Sequence, residues 1–279
     1  MKWLFVFVLA LVIFGAAAFF SYNLFVKQEI AVRAEQRSEA PPPPTPDFGL
    51  AEFRGAQALK QDGKLTEARA ALTAFLERYP TGSHAEEAKD LLGETNLSIL
   101  LSRYPSPDKE EYVVKKGDVL ARVAAKVKST PELIMRMNNL NGTMLHIGQH
   151  LLISHPEFSL VVQRNDRAVV VLDRGIFFKR YHVLEMKLST RQPPRITTHV
   201  AEIMAWKNGK RVGFGSKDYV NSTRWVRLAA PGYILYTGMD PMHPNPGVPP
   251  PPQGLEMAAA DLVELSTLVN SKTPVTIID

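Results

Sequence analysis

The sequence of 279 residues contains no cysteine. This absence excludes disulfide bridges, a thiolate nucleophile, zinc sites built from cysteine and a lipid-acylated cysteine near the N-terminus. Clusters of basic residues are also lacking, because the net charge is only +5 and the Lys and Arg residues are dispersed. That distribution disfavours a nucleic-acid groove. The apolar fraction of 45% is ordinary for a globular protein, and the length leaves room for about two domains plus additional segments.

The N-terminus is strongly apolar, with no charge in residues 3–20. A helix of about 24 residues spans about 36 Å, which is enough to cross a bilayer. We therefore predict a transmembrane anchor at residues 1–26. The alternative is a signal peptide, for which Ala16, Ala17 and Ala18 supply the small residues of a cleavage site. The basic residues that follow the helix do not by themselves support an exported C-terminus.

A linker and a helical segment follow. Residues 27–47 include the run APPPPTP, which predicts an extended polyproline-type linker. Residues 48–104 show helical periodicity interrupted at Gly63 and near Pro80, so three helices are predicted. This segment resembles tetratricopeptide-type repeats in its small-residue helix crossings and its Tyr-Pro stop. Only one and a half repeats are present, and about three are needed to bury a continuous core. We therefore expect it to pack on its neighbours or on another chain, as a spacer or as a site for a protein partner.

Residues 112–154 carry a complete local pattern of two strands and two helices. The triplet YVV alternates as a short strand, and residues 120–127 have apolar side chains at the spacing of a helix face. Ser129 or Thr130 can cap a second helix with Pro131 in its first turn, and HIGQHLLIS returns as a strand. The order β-α-α-β in about 42 residues predicts a compact module.

This stretch resembles the LysM family of carbohydrate-binding modules. The matching residues are Tyr112, Val114, Gly117, Asp118, Leu120, Ala124, Leu133, Asn138, Leu140, Ile147, Gly148, Gln149, Leu151 and Ile153. The resemblance implies binding of N-acetylglucosamine-containing glycans, peptidoglycan or chitin, in a shallow groove between the loop after the first strand and the loop before the last. The glycan-binding residues that it implies here are Gly117, Asp118, Val119, Leu120, Asn138, Met144, Leu145 and Ile147. At Gly117-Asp118 a structural role is an equal alternative, because an aspartate there also caps a helix.

The pattern changes at residue 158 to the alternation of antiparallel strands, with turns at residues 164–166 and 173–175 and a late helix at residues 258–269. Residues 158–279 resemble the catalytic domain of L,D-transpeptidases, most clearly in the ending DLVELSTLVNSKTPVTI. That resemblance implies an enzyme that cross-links peptidoglycan stem peptides through a cysteine thioester.

The family's reactive residues are missing from the aligned positions. These positions, the former active site, hold Thr237, Gly238, Pro252, Gly254 and Glu256. Glycine stands where the family has its cysteine, and proline stands where it has its histidine. Without a thiol and an activating histidine the thioester chemistry is lost, so we predict a pseudoenzyme. The alternative is an active variant with a relocated nucleophile, for example Thr237 beside His243.

No metal or cofactor is predicted. His146 and His150 are four residues apart with His155 nearby, but that spacing suits a metal only on a helix. These histidines fall in a predicted loop and strand.

The chain is thus predicted to be a multidomain α+β protein with an anchor, a helical segment, a βααβ module and a mostly-β C-terminal domain. We expect a non-catalytic envelope protein that is anchored in the inner membrane, faces the periplasm or cell wall and binds peptidoglycan glycan strands. The alternatives are secretion after signal cleavage, an active transpeptidase variant, and a scaffold that recruits a wall enzyme through the helical segment. Its expected partners are glycan strands and the membrane, with no nucleic acid.

Overall fold

The computed structural model describes residues 48–103, 106–189, 191–238 and 247–279. The predicted anchor at residues 1–26 and the predicted linker at residues 27–47 lie outside the described residues. Within the described ranges, no helix is both long enough and apolar enough to cross a bilayer.

The helical segment folds as three helices. They are α1 Leu50–Gln61, α2 Leu65–Arg78 and α3 Ala85–Leu101. The first break falls at Gly63, where φ is 75°, a conformation that glycine tolerates best. Facing apolar side chains, among them Phe53, Leu72 and Phe75, form a buried cluster. The three predicted helices are confirmed, and their kinship with tetratricopeptide repeats stays a prediction.

The module at residues 112–154 has the predicted β-α-α-β order. Its elements are β1 Lys109–Val113, α4 Leu120–Lys126, α5 Pro131–Met137 and β2 His150–Ser154. Strands β1 and β2 pair antiparallel, with Tyr112 opposite Leu151. Thr130 caps α5, because its hydroxyl accepts a hydrogen bond from the Leu133 amide at 3.0 Å. Pro131 follows at the first helical position.

The C-terminal part is a curled sheet with one helix against it. Its strands are β3 Phe158–Gln163, β4 Ala168–Asp173, β5 Ile176–Lys187, β6 Arg195–Lys207, β7 Lys210–Arg211, β8 Thr223–Leu228, β9 Ile234–Tyr236, β10 Gly254–Met257 and β11 Pro274–Ile278, and the helix is α6 Ala259–Leu268. In the described residues the order is β11-β3-β4-β5-β10-β9-β8-β6-β7. Strand β11 pairs parallel with β3 and antiparallel with β6, so the sheet closes on itself. The mixed α+β fold is confirmed.

Helix α5 joins the module to the sheet. Its Leu133 and Met137 are 0% and 1% exposed and belong to the main core, together with Leu100 of α3 and Leu262 of α6. Burying two such side chains stabilises the fold by about 1.5–3 kcal/mol each. The short module therefore gains its stability partly from the sheet, and residues 48–279 form one compact unit.

Helix α3 crosses strand β5 at a glycine. A Cβ at Gly93 would lie 2.9 Å from Lys179 Cγ and 3.1 Å from Lys179 Cα. Nearby, the Asn96 amide donates to the Phe178 carbonyl at 2.8 Å, and Arg180 pairs with Asp90 at 2.8 Å. The helical segment thus packs on its neighbour in the same chain, which is one of the two arrangements expected from its incomplete repeat.

We expect Gly93→Val to lower the free energy of unfolding by about 1–3 kcal/mol more than Gly55→Val does, because the new side chain must displace the Lys179 main chain. Gly55 is the matched control, since it also lies in a helix and a Cβ there meets no atom within 4 Å. Urea denaturation of the full chain measures both changes. Equal losses would show that α3 does not press on β5 at this point.

Candidate functional site

Two loops of the βααβ module lie side by side. The first loop is residues 114–119, between β1 and α4, and the second loop is residues 138–149, between α5 and β2. The Val114 amide donates to the Gln149 carbonyl at 2.9 Å, and the Gly148 amide donates to the Val114 carbonyl at 2.9 Å. Val114 therefore holds the two loops together and creates one surface from both.

The first loop is organised by the Asp118 carboxylate. It accepts hydrogen bonds from the Lys115 amide at 2.8 Å and from the Tyr112 hydroxyl at 2.7 Å. These two bonds hold the pKa of Asp118 below its usual value, and the bond to Asp118 raises the pKa of Tyr112. Gly117 takes a φ of 89° to close the turn.

The capping role that the sequence suggested for Asp118 is not what the structure shows. Helix α4 starts at Leu120, its N-cap is Val119, and no side chain caps it. The Asp118 carboxylate points back to Lys115 and across to Tyr112 instead. Asp118 therefore fixes the shape of the first loop.

Three predicted glycan contacts present exposed apolar side chains on this surface. Val119 of the first loop is 51% exposed, and Met144 and Ile147 of the second loop are 77% and 72% exposed. Leu145 is half-buried and packs against the module core. Large apolar side chains exposed in one place on a folded protein often mark a binding surface.

Leu120 and Asn138 serve the fold of the module. Leu120 is 1% exposed, so only its main chain can face a ligand. The Asn138 amide nitrogen donates to the carbonyls of Ile134 and Leu152, and its oxygen accepts from the Leu152 amide at 2.7 Å. Both the nitrogen and the oxygen of the Asn138 side chain thus bind the end of α5 to β2. The glycan contacts predicted at Leu120 and Asn138 stay predictions.

The positions that the sequence comparison aligned with the transpeptidase motifs lie where β9 and β10 run parallel. Glu256 stands opposite Tyr236 in the register, which brings Thr237-Gly238 next to residues 254–256. A Cβ at Gly238 would overlap the Glu256 carboxylate, and Pro252 is exposed just before β10. The positions aligned with the two family motifs are therefore neighbours in space.

Gly254, the position that the sequence comparison aligned with the family's cysteine, has no room for a side chain. Its φ is 152°, a conformation that L-residues rarely adopt. A Cβ there would lie 2.5 Å from the Ile234 carbonyl oxygen and 3.0 Å from the ring of Tyr236.

Thr237 makes no hydrogen bond to a base among the described residues. Its hydroxyl is buried and has no hydrogen-bond partner in that part of the chain, whereas an activated nucleophile needs a base within hydrogen-bond reach. Burial raises the pKa of the neighbouring Tyr236, and the charge of Glu256 adds to the effect. His243 lies outside the described residues.

The histidines near β2 form pairs with glutamates. His150 lies 2.9 Å from Glu111, and His155 lies 2.9 Å from Glu110. In the described ranges, no group of three or more His, Asp or Glu side chains is arranged to hold a metal.

Comparison with protein families identifies the module. Residues 112–154 match the LysM domain. This match confirms the resemblance found in the sequence and indicates peptidoglycan binding. No protein of curated function matches the chain at a significant level.

Solved structures similar to this chain include several L,D-transpeptidases. The enzyme of Mycobacterium smegmatis is 10% identical with a TM-score of 0.30, over 48% of this chain and 65% of that one. L,D-transpeptidase 1 of Mycobacterium tuberculosis is 9% identical with a TM-score of 0.29, over 47% and 66%. The enzyme of Enterococcus faecium is 13% identical with a TM-score of 0.30, over 44% and 50%. The chain thus spans about half to two thirds of these structures, and similarity at this level says nothing about a shared site.

The Asp118 bonds predict a pH-dependent stability. Because the folded pKa of Asp118 is lowered, its contribution is present above the unfolded pKa of about 3.9 and is lost as pH falls through the folded value. We expect Asp118→Ala to lower the urea midpoint at pH 6, and this difference from the parent to shrink as the pH approaches 3.

Asp166→Ala is the control, since the Asp166 carboxylate has no hydrogen-bond partner among the described residues. Its difference from the parent should stay small across the same range. A difference for Asp118→Ala that does not change with pH would contradict the role of the ionised carboxylate.

Proposed function

We propose that the chain binds the N-acetylglucosamine-containing glycan strands of peptidoglycan through the two loops of its LysM domain. The observation that supports this best is the exposure of Val119, Met144 and Ile147 on loops that Val114 holds together. The C–H faces of sugar rings can cover such side chains and remove apolar surface from water.

Main-chain groups between these side chains supply polar contacts. Gly117 and Gly148 have positive φ angles, and a Cβ at either would meet no atom within 4 Å. The backbone is therefore open to a ligand at both turns, where amides and carbonyls can bond acetamido and hydroxyl groups. Of the predicted contacts, Gly117, Val119, Met144 and Ile147 fit a direct role best.

The C-terminal domain is, in this proposal, catalytically inactive. The chain has no cysteine, Gly254 cannot carry a side chain without strain, and the Thr237 hydroxyl has no hydrogen-bond partner among the described residues. An active variant with a relocated nucleophile is the alternative.

We place the protein in the cell envelope, anchored in the inner membrane by residues 1–26, with residues 27–47 as a spacer toward the wall. The uncharged stretch at residues 3–20 and the proline run support this placement. Secretion after cleavage is the alternative.

The scaffold hypothesis also retains support from one observation. A cleft of about 640 Å³ lies between α2, α3 and the β4–β5 hairpin, and its lining includes Arg69, Glu77 and Phe177. Its size suits a peptide side chain or a short segment of a partner.

The glycan proposal predicts a selective loss of binding. We expect the double variant Met144→Ser, Ile147→Ser of the full chain to bind purified sacculi at least tenfold more weakly in co-sedimentation, because two exposed apolar contacts are removed. Point variants are needed because deleting the domain would remove Leu133 and Met137 from the main core.

Leu184→Ser on β5 is the matched control, since Leu184 is an equally apolar side chain, 60% exposed, outside the loops. It should bind like the parent. Unchanged binding by the double variant, or an equal loss in the control, would rule out the two loops as the glycan site.

If the C-terminal domain is catalytically inactive, neither the parent nor Gly254→Cys should form new cross-links in purified peptidoglycan. Mass spectrometry of the muropeptides measures this. Gly254→Cys should also lower the free energy of unfolding by about 1–3 kcal/mol through strain and overpacking. Gly213→Cys, where a Cβ meets no atom within 4 Å, should leave stability close to that of the parent. Cross-links made by the parent would favour the relocated nucleophile.

A further inference from the structure

A groove runs between the LysM domain and the C-terminal sheet. It consists of adjoining clefts of about 770, 790 and 150 Å³ that share Val220 in their lining. One wall is α5 with the start of the second loop, and the opposite wall is the segment 214–223 together with α6. We call this the inter-module groove.

The second loop contributes both to the inter-module groove and to the surface proposed to bind glycan. Residues 141–143 of the second loop line the groove, directly before the exposed Met144. On the other side, a Cβ at Gly215 would lie 3.7 Å from the Thr143 hydroxyl. A polymer lying on the two loops would therefore pass the mouth of the groove.

The lining of the groove carries four cations, Arg136, Lys207, Lys217 and Arg224, against two acids, Glu132 and Glu264. Arg136 contributes to both large clefts, and Lys217 contributes to the 770 Å³ and 150 Å³ clefts. Glu264 at the far end is paired with Lys179 at 2.7 Å. The groove therefore offers unbalanced positive charge to a ligand.

The groove's other acid, Glu132, is engaged by neighbouring groups. Burial raises the pKa of Glu132, although the hydrogen bond from Tyr219 and the charge of Arg224 oppose the shift. Arg224 lies over the Tyr219 ring at 3.8 Å and donates to the Tyr219 carbonyl at 2.8 Å. These contacts fix the segment that carries Lys217.

We propose that the inter-module groove binds the carboxylate-bearing peptide stems of the glycan strand that the LysM loops hold, with Arg136 and Lys217 as the carboxylate contacts. This inference rests on the proposed function. Peptide stems branch from the same polymer as the sugars. A strand held on the two loops can therefore place a peptide stem in the groove that the second loop also lines. The cations pair with carboxylates, while Val220, Met135 and Leu140 provide apolar surface for alanine methyl groups.

The test compares two probes on the full chain. One is soluble glycan strands that keep their peptide stems, and the other is the same strands after an amidase has removed the stems. We expect the parent to bind the first more tightly. The double variant Arg136→Gln, Lys217→Gln should bind peptide-bearing strands about tenfold more weakly and peptide-free strands like the parent. Arg54→Gln with Lys64→Gln, in the helical segment, is the matched control and should match the parent on both probes.

The outcomes separate the two proposals. If the parent binds neither probe, the proposed function fails and the inference falls with it. If the parent binds both probes equally, or the groove variant weakens both by the same factor, glycan binding stands and the groove assignment is overturned. The parent's preference for peptide-bearing strands should fall at high salt. A fall in the parent that is not seen in the groove variant would support the charge contacts.

Discussion

The burial of helix α5 is the constraint on which the described structure depends. Leu133 and Met137 enter the core of the sheet, and α5 also contacts α3 and α6. The LysM domain is therefore built into the C-terminal body instead of hanging on a linker. Its two loops and the inter-module groove keep one relative position, so a polymer bound on the loops, as proposed, would meet a defined protein surface beyond the domain.

Glycine plays different parts at the strand β10 and on the two loops of the LysM domain. At Gly254 the backbone has a conformation that disfavours a side chain, and the Tyr236 ring and the Ile234 carbonyl occupy the space where one would lie. On the loops, Gly117 and Gly148 also have positive φ, but nothing lies near their α-carbons. The same residue type closes one site and leaves the other open, because its neighbours differ.

Local patterns predicted the elements well and their partners poorly. Apolar spacing identified α5 and its buried face, yet could not show that Leu133 and Met137 face the sheet, since periodicity records burial and not what covers it. The sequence predicted that Asp118 caps a helix. Its hydrogen bond with the Tyr112 hydroxyl depends on the folded shape of the loop, which the sequence pattern does not show. The sequence did not identify Arg136 and Lys217 as site residues. They line the same groove although they lie 81 positions apart in the chain. The parallel pairing of β11 with β3 is equally non-local.

The most direct test of the central claim is amide hydrogen exchange of the full chain with and without an N-acetylglucosamine oligosaccharide. The account predicts slower exchange at residues 117–119 and 144–148, on the two loops that Val114 joins, with little change in the helical segment. Exchange that is unchanged on both loops while the sugar is bound, or slowed only around residues 252–256, would contradict it.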